Sequence, residues 1–463
     1  IARCLMIAVE EDIIIPVDSN YSFITNVFEE KAEAIQQVHI KFRFQHDRIQ
    51  QAFYQMLDKD TSNRLHLTIG RLLLKHLTLE EIEDKLVDIA THINKGIEYI
   101  HDKDEISQVI DINLKAARKA KEGIGYASAF VLLEMARSLI TEQSWQEDKH
   151  RTSEIYLLYT ECGYLTHQLE AADLACSVLI KHTQDHYSIA QIYEMQANHY
   201  TYLGMMKESI TSGKLGLQVL GIKIPERVGM GSVLKEFLKV KASLKGRTIE
   251  EIYDQPQMDD PTIKLIMRLL INFIPPSFIS GETSLFGLIV LKKVGLTLKH
   301  GNSPESALAF IGYSILLSGF GDLKGSFDFG RLGIRINDKF NDLQWKGAAH
   351  VLYTLFCHTW NEPWETLENW YKSSIESSLR SGDLLYLAHA CFYQNLWNPS
   401  MDITANLQDY NRSIALIENT KYKEALATAK LFKQQLLSLS GELKDNLSFD
   451  DENFNEAAYV KQL

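Results

Sequence analysis

Residues Lys41-Phe-Arg-Phe-Gln-His-Asp-Arg-Ile-Gln-Gln-Ala-Phe-Tyr54 change their apolar period midway. Phe42 and Phe44 alternate with Lys41, Arg43 and Gln45, the period of two that a short strand requires. From Asp47 onward Ile49, Ala52, Phe53, Met56 and Leu57 share one face of a helix. The stretch therefore predicts a strand that runs through His46-Asp47 into an amphipathic helix. Asp47 is the expected N-cap, its carboxylate accepting a bond from an orphan amide of the first turn. Upstream, a short helix and a strand at Ile13-Ile14-Ile15-Pro16 precede a polar wing near Asp18-Ser-Asn20, so residues 1–60 read as a winged helix or its remnant.

Downstream of about residue 62 only the 3.6-residue period persists, which predicts an all-α remainder. Its units are paired helices. Asn113, Ala117, Ala120, Tyr126, Ala129, Leu133 and Ala136 sit where a tetratricopeptide repeat (TPR) places its aromatics and small contact residues, and small residues are needed where two helix backbones approach closely. Tyr156, Gly163, Leu169, Ala172, Cys176 and Leu179 form a second such set, and Tyr193, Ala197, Tyr200, Gly204, Met206, Ser209, Gly213 and Gly216 a third. The steps from Ala129 to Ala172 (43 residues) and from Ala172 to Ser209 (37 residues) exceed the period of about 34 and vary, so the repeats are degenerate. After a Gly- and Lys-rich passage at 228–247 the pattern resumes, with Phe310, Ser314, Leu317, Gly321, Leu323, Ser326, Gly330 and Gly333 in one hairpin and a turn at Ser381-Gly-Asp383 between two further helices. The expected organisation is 1–60 winged-helix part, 61–225 and 226–440 helical repeats, and 441–463 a polar loop with the start of a helix. The fold class is an all-α TPR-like superhelix of helical hairpins, with the chain expected to begin and end inside a larger protein.

The 41–54 run, with Phe42, Phe44, His46, Asp47, Arg48, Gln50, Gln51 and Tyr54, resembles the Phe-x-Phe-x-His-Asp-Arg-x-Gln-x-Ala-x-Tyr close of the ATPase region in STAND-type signalling ATPases. It is most similar to those of large bacterial multidomain serine/threonine and histidine kinases. Ala52 is displaced by one position, ahead of Phe53 and Tyr54. Asn63-Arg64-Leu65-His66, Ala116-Ala-Arg-Lys-Ala120, Tyr126-Ala-Ser-Ala129 and Leu220-Gly-Ile-Lys-Ile-Pro225 resemble the same family, so the resemblance covers nearly the whole chain while its distinctive motif lies in the first 75 or so residues. The His-Asp pair is similar to the MHD motif of apoptosome and plant-resistance ATPases, in which the histidine reads bound nucleotide from a winged-helix lid. The resemblance implies nucleotide sensing by His46, Asp47 and Arg48, with ATP or ADP held elsewhere in the parent; read from the residues alone, His46 equally fits a histidine that closes the strand and packs under the helix, and Arg48 a solvated residue of the first turn. The resemblance also implies kinase output beyond this chain, and neighbouring domains and a protein or peptide ligand as partners.

Composition narrows the field. With 48 basic and 60 acidic side chains the net charge is −12, so bulk attraction to nucleic acid or to an anionic membrane is absent. Five scattered cysteines, at 4, 162, 176, 357 and 391, fit neither a disulfide framework nor a thiolate zinc site and point to a reducing cytoplasm. The oily region Ile263–Leu298 is broken by Arg268, Pro275-Pro276, Glu282 and Lys292-Lys293, so no uninterrupted run of about 18 apolar residues exists.

No catalytic constellation emerges. A Gly-x-x-x-x-Gly-Lys-Ser/Thr phosphate loop is missing; Val228-Gly-Met-Gly-Ser232 lacks the lysine and a preceding strand. Nucleotide turnover by this chain alone is not expected, and no metal or cofactor site is expected in it. His182 and His186 stand four apart with no third ligand, and Met258-Asp-Asp-Pro261 reads as a loop. Of the dense aromatics, Trp345, Tyr353, Trp360, Trp364 and Trp397 are the candidates for a concave groove that stacks on a ligand, beside the reading in which they are core. Three other functions share the pattern: a maltose-regulator-type transcription activator with an inducer-binding array, a free-standing repeat scaffold or effector, and, last, a helical enzyme.

Overall fold

The computed structural model describes residues 2–17, 41–397, 402–420, 422–443 and 447–461. Packing divides the chain into two units, residues 1–172 and 173–463, with the division inside the helix Leu169–His182. The seam expected near residue 225 lies within the second unit.

In the first unit the helix Ala2–Glu10 leads to the strand Ile14–Pro16, which pairs antiparallel with Phe42–Phe44 in the register Ile14 to Phe44 and Pro16 to Phe42. The helix Asp47–Met56 follows, as the change of period requires. The expected wing at Asp18–Asn20 lies outside the described residues. Every described helix or strand after residue 58 is helical, beginning with Lys59–His76, whose N-cap Asp58 accepts from the Thr61 amide at 2.9 Å. The helices Leu86–Lys95, Lys103–Glu122, Tyr126–Ser138 and Lys149–Leu165 pack in succession. Where Lys59–His76, Leu86–Lys95 and the start of Lys103–Glu122 meet, Leu67, Ile89, Ile93, Ile100 and Val109 form one core. Asn113, where the repeat places its first-helix aromatic, is fully buried and exchanges two amide bonds with Asn94, at 2.6 and 2.8 Å, so burial leaves neither amide unsatisfied.

The second unit opens with the hairpin His186–Tyr202 and Met206–Val219. Pro261–Asn272 and Ile274–Ile279 then run into Thr283–His300, and Ser306–Gly319 pairs with Leu323–Phe340. Leu367–Ser381 with Leu384–Leu396, and Ile403–Thr420 with Lys423–Ser440, continue the array. At the crossing of Ser306–Gly319 with Leu323–Phe340, a Cβ on Gly333 would stand 2.7 Å from the Ala307 carbonyl and 2.6 Å from Ile311 Cγ1, which is why that position is bare. The Met258-Asp-Asp-Pro261 stretch is a loop whose Asp260 caps the next helix, with Pro261 in its first turn. His182 ends one helix and His186 starts another after the N-cap Asp185, so the two do not share a helix face.

Taken as one stretch, Pro261–Ile279 is long and apolar enough by composition to cross a membrane, which the interrupted reading did not foresee. Its Leu265, Ile266, Leu269, Leu270 and Phe273 are buried in one core with Leu217 and Ile289, and its Arg268 is ion-paired with Glu194, so its apolar character serves packing.

Candidate functional site

The backbone leaves the extended conformation at His46 (φ −139°, ψ 143°), which therefore occupies the N-cap position of the helix Asp47–Met56. The expected Asp47 cap is corrected: the turn begins one residue earlier, so Asp47 stands inside the first turn, where its charge favours the positive end of the helix dipole instead of holding an amide. The His46 side chain makes no cap bond, and His46, Asp47 and Arg48 are all exposed. The apolar face is also open. No residue of this helix is buried; Phe53 is 45 % and Met56 80 % exposed, and Phe53 meets the half-open ring of Phe44 at 6.3 Å between centroids.

This helix is tied to the repeats by a polar chain. Tyr54 Oη lies 2.7 Å from His66 Nε2, and His66 Nδ1 lies 2.7 Å from His92 Nδ1. Lys95 Nζ donates to Tyr54 Oη at 3.2 Å and stands 3.2 Å from His66 Nε2. The pattern assigns the tautomers. Lys95 and Tyr54 both bring protons to His66 Nε2, so that nitrogen is bare; His66 carries its proton on Nδ1 and donates it to a bare Nδ1 of His92. Partial burial, then the Lys95 charge, then its neighbour His92 lower the His66 value below 6.5, and burial with Lys95 does the same for His92. Bonds from Ser62 and then Lys95 hold the Tyr54 phenol below its usual value. Tyr54 and His66 belong to the stretches read in the sequence. His92 and Lys95 were missed, because their relevance arises only when the helix Leu86–Lys95 packs on Lys59–His76.

The five aromatics offered as a groove do not line one surface. Tyr353 is fully buried, its ring 5.0 Å from Trp370 and 5.8 Å from His358. Trp364 and Trp397 meet edge to face at 5.5 Å, with Trp364 Nε1 donating to the Thr359 carbonyl. Trp360 is 63 % exposed. The rings stand on separate elements: Tyr353 ends the helix Lys346–Tyr353, Trp360 follows a π-helical turn at Thr354–His358, Trp364 opens a 3₁₀ turn after that helix has ended at Asn361, and Trp397 is the C-cap of Leu384–Leu396. Trp345 alone of the five faces a polar cavity of about 240 Å³ in the second unit. His350 and His358 also close on Trp370, and burial holds His350 down at about 4. The Cys357 thiol, 2.8 Å from Ser314 Oγ, is pushed up to about 11 by burial, which makes it unreactive. Among the described residues no group of three or more His, Cys, Asp or Glu could hold a metal ion.

No protein-family model matches the chain. In an alignment 388 positions long that takes in 74 % of this chain, it is 22 % identical to hybrid signal transduction histidine kinase G of Dictyostelium discoideum, and it spans 11 % of the length of that relative. Among solved structures it is similar to a STAND protein with a tetratricopeptide repeat sensor from Pyrococcus horikoshii, at 11 % identity and a TM-score of 0.31, over 90 % of this chain and 64 % of that one.

Proposed function

We propose that the chain is a non-catalytic, cytoplasmic regulatory module of a larger ATP-binding signal-transduction kinase. In this reading its helical repeats take up a ligand or partner and bias the nucleotide state of an adjacent STAND-type ATPase. The observation that carries it is the Lys41–Tyr54 run itself, whose last residue is bonded to the helices Lys59–His76 and Leu86–Lys95 through His66, His92 and Lys95. Similarity to a hybrid signal transduction histidine kinase across 74 % of this chain supports the signalling context. The exposed His46 ring, with no cap bond to hold it, supports a contact made outside this chain.

Mechanically, the helix Asp47–Met56 is the part that would move with the lid. It contributes no buried residue to a core, so little apolar contact opposes its displacement, while Tyr54 gives its position a direct effect on His66. A ligand on the repeats would shift the lid only by the difference in its affinity for the two arrangements.

The test is nucleotide titration of the full-length protein, wild type against His46→Ala. The ratio of ADP to ATP affinity is expected to change by about fivefold or more. Equal ratios in the two proteins remove the sensing role.

A further inference from the structure

The 240 Å³ cavity is walled by four stretches that are remote in sequence: the helix His186–Tyr202 (Glu194, Asn198, Tyr202), the end of Pro261–Asn272, the approach to Lys346–Tyr353 (Trp345), and the turn into Leu384–Leu396 (Asp383, Tyr386). Its volume lies below the range of drug-sized pockets, about 300–1,000 Å³, so it suits a compact metabolite rather than a cofactor.

The charge of the walls selects the ligand. Two carboxylates face the space, and no lysine or arginine lines it. Glu194 is committed: Arg268 donates to it from Nε at 2.8 Å and from Nη2 at 3.4 Å, and the same guanidinium stands 3.8 Å from Glu305. One arginine thus lies between two acids, and one oxygen of the buried Glu305 has no hydrogen-bond partner. Asp383 has no such cation. It caps its helix by accepting the Tyr386 amide at 3.1 Å, and no lysine or arginine among the described residues pairs with it. Burial holds its carboxyl up at about 6 against the pull of the backbone amides it caps. Trp345 adds an indole to the same wall, a surface that attracts cations.

We propose that this cavity binds a small organic cation, an ammonium on a short carbon frame, with Asp383 as its counter-ion and Trp345 as its apolar contact. The inference rests on the regulatory reading only for calling the site a sensor; the binding itself is a property of this chain. Because the cavity joins helices from separate hairpins, an occupant would tie them together, which is what a ligand must do to favour one arrangement of an array.

Isothermal titration of the 463-residue chain at mildly alkaline pH, where Asp383 is ionised, tests it with four probes: cadaverine, the uncharged diol of the same length, glutarate, and a short lysine-bearing peptide. Cadaverine is expected to saturate one site, and the diol and glutarate to show no binding. Asp383→Asn keeps the helix cap, since Asn serves there as well as Asp, and is expected to weaken cadaverine by about 30-fold or more with a melting temperature no lower than that of the wild type, since the buried charge is gone. Absence of cadaverine binding, equal binding to Asp383→Asn, or tighter binding of glutarate overturns the proposal. Binding of the peptide without binding of cadaverine overturns the small-molecule source. The nucleotide titration of His46→Ala has an outcome independent of all these arms, so failure of either reading is recognised separately.

Discussion

His66 and His92 work only as neutral rings. Protonating His66 places an N–H at Nε2 against the Lys95 ammonium, and protonating His92 sets two Nδ1 protons against each other. Their lowered values give the sign: the unfolded rings, at 6.5, take up protons before the folded ones, so the stability of this junction is lost as pH falls below 6.5. Proton NMR of the imidazoles should show the pair titrating below 6.5, with the His66 midpoint rising in Lys95→Met as one of its depressing charges goes. An unchanged midpoint would separate Lys95 from the chain of bonds. His92→Ala leaves the His66 Nδ1 proton without its acceptor and should destabilise the junction by about 1 kcal/mol, read as earlier proteolysis at residues 47–58. Tyr54 and His66 stood out in the sequence, but nothing in the spacing of His92 and Lys95 marks them, because a hydrogen-bond chain across 41 residues is set by packing alone.

At the scale of the element, hairpin positions are told apart by what a side chain would meet. Gly333→Ala puts a methyl within 2.7 Å of a backbone carbonyl and should cost about 1–3 kcal/mol after neighbours shift. Gly295→Ala, inside the helix Thr283–His300 with nothing within 4 Å, should instead stabilise by up to about 1 kcal/mol, since alanine is the better helix former. Urea unfolding of the two variants distinguishes them, and the same sign for both would refute the packing argument. The hairpins at 113–136 and 310–333 were legible because small residues recur at the crossings. The groove was not, since Tyr353, Trp360, Trp364 and Trp397 fall on four separate elements, and which way each element turns its ring is set by packing.

The second unit as a whole buries ionisable groups that give its stability a direction in pH. His350 and His389 are held neutral by burial, each down at about 4, so stability is lost as pH falls from 6.5 towards 4. Lys293, fully buried with one bond to the Leu308 carbonyl at 3.2 Å, is lowered by desolvation to about 7; its unfolded counterpart keeps its proton up to 10.5, so stability rises with pH across that window. Asp383 opposes this between 3.8 and about 6, where ionisation in the folded state is disfavoured and stability declines as pH rises. Lys293→Met, of similar length and with no charge to desolvate, should raise stability near neutrality by about 1–3 kcal/mol and flatten the alkaline rise. Thermal melts from pH 4 to 10 check both, and a destabilised variant would mean that the ammonium has a role the core conceals.

The sequence by itself determined the strand-to-helix switch at 46–47 and the helical hairpins from residue 59 onward, because periodicity and small crossing residues act over a few turns. It also determined the signalling likeness, carried by residues 41–54. Only the tertiary structure decided that His92 and Lys95 complete the Tyr54–His66 chain, that Tyr353 is core, and that Glu194, Trp345 and Asp383 share one cavity. Those meetings span up to 189 residues, from Glu194 to Asp383, and which side chains face one another over such distances is fixed by how helices cross, a quantity that local spacing does not encode.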